Sequence, residues 1–284
     1  MESNILKAMN NLTMYASNEL LHFYQGNNRA NNMGDALELF VRDLFCDSFN
    51  CKEAEVNEKY NLFFSYLGNE TNPPDMILRG GDAIEVKKLK GFSNIALNSS
   101  NPKQTIKSSS SMITYACKHC EDDIGGWDEK DLIYFIGNVL DNRLKCLNII
   151  YGDCYSASDD IYSRIKNKMK IGISEIQGIE FISTNEFGKL KHVDPLGITD
   201  LRIRGMWNIE NPKKVFNYVI NDYYEEEKDL NVFLIMKKEK YESFPIEDRE
   251  LIEKNKFLKI ENIRIKNPDN PANLMDAKLI VYKK

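Results

Sequence analysis

The stretch that most constrains this chain is residues 72–89, NPPDMILRGGDAIEVKKL. Two short β-favouring runs flank Gly80-Gly81, which is a hairpin signal. On the second run Glu85 and Lys87 stand two residues apart and so share one face, while Ile84 and Val86 turn the other way. Asp75, preceded by Pro74, lies near the start of the first run. Register decides whether it joins Glu85. A two-residue Gly-Gly loop would set Asp75 opposite Val86 and away from Glu85. An odd loop, such as Gly80-Gly81-Asp82, or an irregular Asp75 brings it onto the Glu85 and Lys87 face.

Two converging carboxylates suit a hard divalent cation, because Mg2+ takes oxygen ligands and keeps waters and substrate phosphate in its shell. A lysine beside them can orient an attacking water and offset charge on a phosphoryl transition state. The pattern Pro-Asp, then Glu-x-Lys, resembles the signature of the magnesium-dependent nucleases that include many type II restriction endonucleases. A hairpin with charges turned to solvent would carry the same letters. The apolar alternation around them favours a site.

The 284 residues suffice for one large α/β domain or two small ones with a substantial core. With 42% hydrophobic and 29% charged residues the chain has the composition of a soluble globular protein. No apolar run approaches the roughly 20 residues of a membrane helix, and MESNILKAMNN lacks the regions of a signal peptide, so the expected location is cytoplasmic. The six cysteines read as free thiols. Cys117-Lys-His-Cys120 has no second pair to complete a zinc set. The net charge of -5 argues against a uniformly basic nucleic-acid binder, but the signs segregate. Lys87, Lys88, Lys90, Lys103, Lys107 and Lys118 cluster in one stretch and YYEEEKD in another, as in an enzyme with a basic cleft and an acidic back.

Along the chain, residues 5–24 read as a helix and residues 25–32 as a polar connector, with Asn32 and Asp35 spaced as an N-cap and its acidic partner. Residues 33–46 form a helix by the period of Leu37, Phe40, Val41, Leu44 and Phe45. On it Asp35, Glu38 and Arg42 make one stripe, either a solvated ion-paired face or one that turns Glu38 toward Asp75 as an outer metal ligand. Residues 60–67 read as a strand. The Ser/Asn-rich segment after Lys88, with Asn98, Ser99, Ser100 and Lys103, is either a mobile loop or a phosphate grip. Residues 112–120 read as a helix and 131–139, DLIYFIGNV, as a buried strand. A strand at 144–151, a surface helix at 159–170 and a short strand at 178–183 follow. This order predicts a mixed sheet flanked by helices with the hairpin near its centre.

In DPLGITDLRIRGMWNIEN, Leu201, Ile203 and Gly205 alternate with Arg202, Arg204 and Met206, so a strand would hold both arginines on one face. Arginine matches the guanine edge, although the same pair could clamp carboxylates within the fold. Trp207 reads as packing. Beyond it come a helix, an acidic linker, a strand at 232–236, a helix near 247–254 and strands at 257–265 and 277–282. The Pro-Asp at Pro268 has no Glu-x-Lys after it.

Taken together, NNRANNMGDALELFVRDLF, FSYLGNETNPPDMILRGGDAIEVKK, ALNSSNPK, ACKHCE, DLIYFIG and DPLGITDLRIRGMW make the chain resemble the NgoPII family of type II restriction endonucleases. The likeness spans most of the first 210 residues and is weaker in the C-terminal third. It implies a restriction-endonuclease-like α/β fold with a mixed central sheet flanked by helices and added recognition elements. A single domain 1–284 would hold a nuclease core of about 30–185 and recognition and C-terminal elements of about 186–284. It further implies Mg2+-dependent cleavage of double-stranded DNA at GGCC, with a DNA methyltransferase as functional rather than physical partner. Asp75, Glu85 and Lys87 fall on the nuclease signature. Asp75, Glu85 and the Val86 carbonyl would hold one or two Mg2+, and Lys87 would orient the nucleophile. A palindromic site suggests a homodimer. The competing readings are a DNA-binding protein of the same fold that does not cut, and a junction or repair nuclease that reads DNA shape.

Overall fold

The computed structural model describes residues 3–26, 32–69, 72–97, 100–184 and 187–284. The chain opens with helices α1 (Ile5–Tyr15), α2 (Leu20–Gly26), α3 (Met33–Cys46) and α4 (Glu53–Phe63), then strands β1 (Phe64–Asn69), β2 (Asn72–Leu78) and β3 (Ala83–Lys90). Short strands β4 (Ile95–Ala96) and β5 (Thr105–Lys107) and helix α5 (Tyr115–Lys118) precede the long strands β6 (Glu129–Leu140) and β7 (Arg143–Tyr151). Next come α6 (Gly152–Tyr155), α7 (Asp159–Ser174), β8 (Glu180–Ser183), β9 (Gly188–Lys191), β10 (Leu201–Ile203) and β11 (Asn208–Ile209). The chain ends with α8 (Pro212–Val215), α9 (Asn217–Ile220), β12 (Asn231–Lys237), α10 (Lys238–Ser243), α11 (Ile246–Glu253), β13 (Leu258–Lys266) and β14 (Leu274–Lys283).

One mixed sheet runs β1-β2-β3-β6-β7-β12-β14-β13. Its centre is set by β6, β7 and β12, whose near-continuous apolar runs are buried on both faces. β3 pairs parallel with β6 and β12 parallel with β7, while the other neighbours on the path are antiparallel. The fold is therefore α/β with a mixed central sheet flanked by helices, and the hairpin of β2 and β3 abuts the central strands. Phe135, Ile149 and Phe233 are essentially inaccessible, each contributing about 1.5–3 kcal/mol of burial.

Helix α3 carries the polar groups nearest the hairpin. Asn32 caps it by accepting from the Gly34 and Asp35 N–H groups. Its apolar face packs on the sheet beside β3, and Gly137 makes the close approach possible, since a Cβ there would lie 2.6 Å from Leu37. Asp43, fully buried, accepts from Tyr24, Ser48 and Tyr60 at 2.8, 2.6 and 2.6 Å and ties α3 to its neighbours.

Local structure departs from the sequence reading in four places. The helix expected over 5–24 is two helices: the Leu144 N–H donates to the Asn18 carbonyl, and Ser17 accepts from the Glu19 N–H at the break. The strand expected over 60–67 is helix as far as Phe63, and Glu55 closes that helix's first turn by accepting from the Lys52 N–H. Helix in 112–120 is confined to α5. Strand β10 ends at Ile203, so Arg204 lies outside it.

Candidate active site

In the hairpin, Met76 stands opposite Ile84 and Ile77 opposite Ala83. The Leu78 N–H donates to the Asp82 carbonyl at 3.0 Å, which makes the loop Arg79-Gly80-Gly81, with Gly80 at φ 67°. The loop is odd, as a site requires, and lies one residue earlier than Gly80-Gly81-Asp82. Continuing this register sets Asp75 opposite Glu85, so two carboxylates meet on one face. Hydrogen-bonded pairs recur every second residue, and the pair after Met76 and Ile84 would be Pro74 and Val86. Proline has no N–H, so it offers the Val86 carbonyl no ladder donor. The Val86 N–H is instead taken by Asp75 Oδ2 at 2.6 Å. Both backbone groups of a residue leave a strand on the same side, so the Val86 carbonyl points to the edge where Asp75 stands.

Lys87 Nζ lies 2.5 Å from Glu85 Oε1. The other oxygen, Oε2, is buried and accepts no hydrogen bond. Burial, aided by the charge of Asp75, pushes the Glu85 pKa up to about 7. Burial likewise raises Asp75, against the opposing pull of Lys87 and the Val86 N–H. Burial works against the Lys87 charge, but Glu85, Asp75 and Glu38 outweigh it and raise its pKa.

Two carboxylates, one of them with a buried oxygen that accepts no hydrogen bond, and a carbonyl turned to the same edge form a hard oxygen donor set. That chemistry fits Mg2+, which completes its shell with water and phosphate. Among the described residues no three His, Cys, Asp or Glu side chains come together as a metal-binding group. Glu38 stands beside the pair, with its pKa raised by burial and by Asp75, and is held by Arg42 at 3.5 Å.

The remaining expected residues are dispersed. Lys88 is exposed and alternates with Lys87 to the opposite face. Asn98 and Ser99 lie outside the described residues. Ser100 is half-buried, and Lys103 Nζ is engaged by Asp159 at 3.2 Å. Arg202 lies on β10, in a small sheet of β8, β9 and β10 separate from the main one, and Arg204 follows that strand; both are exposed. Trp207 packs edge-on to Tyr162. All six cysteines are unbridged.

Several residues that shape the site carry little sequence signal. Glu121 and Lys130, both buried, pair at 2.9 Å. Glu121 accepts from the Gly80 N–H at 2.8 Å and Lys130 donates to the Gly81 carbonyl at 2.9 Å, so a buried ion pair grips the hairpin turn. At the start of β3, Asp82 accepts from Tyr151 and Lys240, which anchors the C-terminal third to the hairpin. Tyr134, opposite Glu85 on β6, accepts from the Lys103 N–H and donates to the Lys103 carbonyl. Lys103 is thereby pinned beside β3. Gly68 is the one residue here with a legible signal, a glycine inside a strand. A Cβ on it would lie 2.5 Å from the Pro74 carbonyl and 3.0 Å from that of Asp75.

A family model described as NgoPII restriction endonuclease matches residues 3–266. Type II restriction enzyme NgoPII of Neisseria gonorrhoeae is 47% identical over 282 residues, covering 98% of this chain and 99% of that protein. No solved structure matches the chain. With the hairpin geometry and this near-complete correspondence, the chain belongs to the NgoPII restriction endonuclease family and is a type II site-specific deoxyribonuclease.

Proposed function

We propose that the enzyme hydrolyses double-stranded DNA at the palindrome GGCC in a Mg2+-dependent reaction, with Asp75, Glu85 and Lys87 as its catalytic group. The observation that carries this reading is the convergence of two carboxylates across one hairpin, with Lys87 at 2.5 Å from Glu85 and Glu85 Oε2 left without a donor. Mg2+ held by Asp75, Glu85 and the Val86 carbonyl would acidify a water and shield charge on the phosphate. Lys87 keeps its proton near neutral pH because the surrounding carboxylates raise its pKa, so it donates hydrogen bonds to the attacking water or to a phosphate oxygen. Asp75 is oriented by the Val86 N–H, and Glu38 is an outer neighbour steadied by Arg42. Asn98, Ser99, Ser100, Lys88 and Lys103 would contact the DNA backbone. Lys103 reaches a phosphate only by exchanging Asp159 for it.

Arg202 and Arg204 would contact guanine edges, each bidentate contact discriminating by about 1–3 kcal/mol. A palindrome is read most simply by a two-fold dimer, each subunit cutting one strand. A DNA methyltransferase of the same specificity protects host sites without touching the nuclease. Digestion of a mapped plasmid with Mg2+ or with EDTA tests the reading. Discrete Mg2+-dependent fragments mapping to GGCC are expected. Discrete fragments at another sequence would overturn the GGCC assignment, a smear would indicate a structure-directed nuclease, and binding without cutting would indicate a DNA-binding protein.

A further inference from the structure

Helix α7 is built inside out. Its 16 residues include no buried side chain. The side turned toward the body carries half-buried Tyr162, Lys166, Lys170 and Ile173, with Lys170 donating to Ser183 at 2.6 Å and Tyr162 edge-on to Trp207. The apolar seam faces outward. Ile165, Met169 and Ile176 are 45%, 53% and 43% exposed. Ile165, Met169 and Gly172 follow the i, i+4, i+7 spacing of a helix that packs against another helix, and Ile176 continues the seam two residues beyond the end of α7. A Cβ on Gly172 would meet nothing within 4 Å.

Charge along the seam selects the occupant. Lys168 on the helix and Glu175, its C-cap, are seven residues apart and both exposed. In an antiparallel two-fold pairing of α7 with itself, Ile165 of one copy meets Ile176 of the other and Met169 fills the space over Gly172. Lys168 then faces Glu175 twice, once from each copy, since a two-fold interface matches i with j and j with i. A parallel pairing would set Gly172 against Gly172 and leave that layer empty. A DNA backbone is a poor match for an apolar stripe, and Lys166 and Lys170 are turned toward the body.

We infer that α7 is the self-association surface of this enzyme, occupied by α7 of a second copy in antiparallel orientation. The inference rests on the dimer reading above and names the surface that would make it. Because α7 begins at Asp159, which holds Lys103 next to the catalytic strand, the pairing would couple the two nuclease centres through one rigid element.

Sedimentation equilibrium of the full-length enzyme tests this, using wild type, Met169→Glu, Lys168→Glu, Glu175→Lys and the double charge swap. All three positions face solvent in the single chain, and circular dichroism checks that the variants keep the fold. Wild type should be dimeric and Met169→Glu monomeric. Each single charge change should weaken dimerisation by about tenfold or more, and the double swap should restore most of the loss. A double swap no better than the singles would overturn the antiparallel pairing. Wild-type dimerisation by Met169→Glu and both singles would overturn the surface while leaving the dimer reading intact. A wild type that is monomeric both alone and on a GGCC duplex held in EDTA would overturn both.

Discussion

Replacing Glu85 by glutamine should stabilise the metal-free enzyme above neutral pH while abolishing its chemistry. Burial next to Asp75 lifts the Glu85 pKa from 4.5 to about 7. The folded state therefore holds this proton more tightly than the unfolded chain does. The associated stability is complete below pH 4.5 and is lost as pH rises through about 7. At 1.36 kcal/mol per unit the loss at pH 8 is about 3 kcal/mol. Glutamine removes that loss, and because a pKa of about 7 already reflects the pull of Lys87, the ion pair at 2.5 Å is not subtracted again. The gain at pH 8 is therefore about 3 kcal/mol, or about 5–10 °C in Tm for a chain of this size. Thermal unfolding in EDTA at pH 5 and pH 8 is the assay. The variant should match wild type at pH 5 and exceed it at pH 8, and Mg2+ should raise the wild-type Tm while leaving the variant nearly unmoved. A variant equally destabilised at both pH values would refute the electrostatic reasoning.

Other consequences follow from the surroundings of the hairpin. Gly68→Ala must displace the Pro74 carbonyl and so shift Asp75. Single-turnover cleavage should slow on the order of 10- to 100-fold, with a stability loss of about 1–3 kcal/mol in denaturant titration. Lys130→Met leaves the buried Glu121 carboxylate without its counter-ion and should cost about 3–5 kcal/mol in the same titration, whereas the double variant Glu121→Gln with Lys130→Met should lose less. Arg202→Ala should reduce kcat/KM on GGCC and flatten its preference over singly substituted sites by about 1–3 kcal/mol at one base-pair position, measured with a panel of duplexes.

What could be read from the letters depended on how locally each feature is specified. The 33–46 helix was legible to its ends because Asn32 supplies the cap and the apolar residues keep the helical period. The buried strands β6, β7 and β12 were legible as apolar runs too short for core helices. The parity of the hairpin loop could be required but not located, since Arg79-Gly80-Gly81 and Gly80-Gly81-Asp82 are equally plausible turns by composition. Helix α4 carries almost no periodic signal, because only Val56 and Tyr60 of its 11 residues are buried. The grip of Glu121 and Lys130 on the turn, and of Lys240 on Asp82, joins residues 41, 49 and 158 positions apart, and spacing carries no trace of such contacts. The sequence alternation runs on through Arg204, but the pairing of β10 with β9 stops at Ile203.

The central claim is that the Asp75, Glu85 and Lys87 hairpin performs the cleavage. Its most direct test is the single-turnover cleavage rate of Lys87→Ala against wild type on a duplex carrying one GGCC site in Mg2+, with DNA binding measured in parallel in Ca2+. The account expects binding within a few-fold of wild type and cleavage slowed by about 10²–10³-fold or more, the loss of one transition-state donor. Cleavage at the wild-type rate, with binding intact, would mean that the reaction is carried by another group.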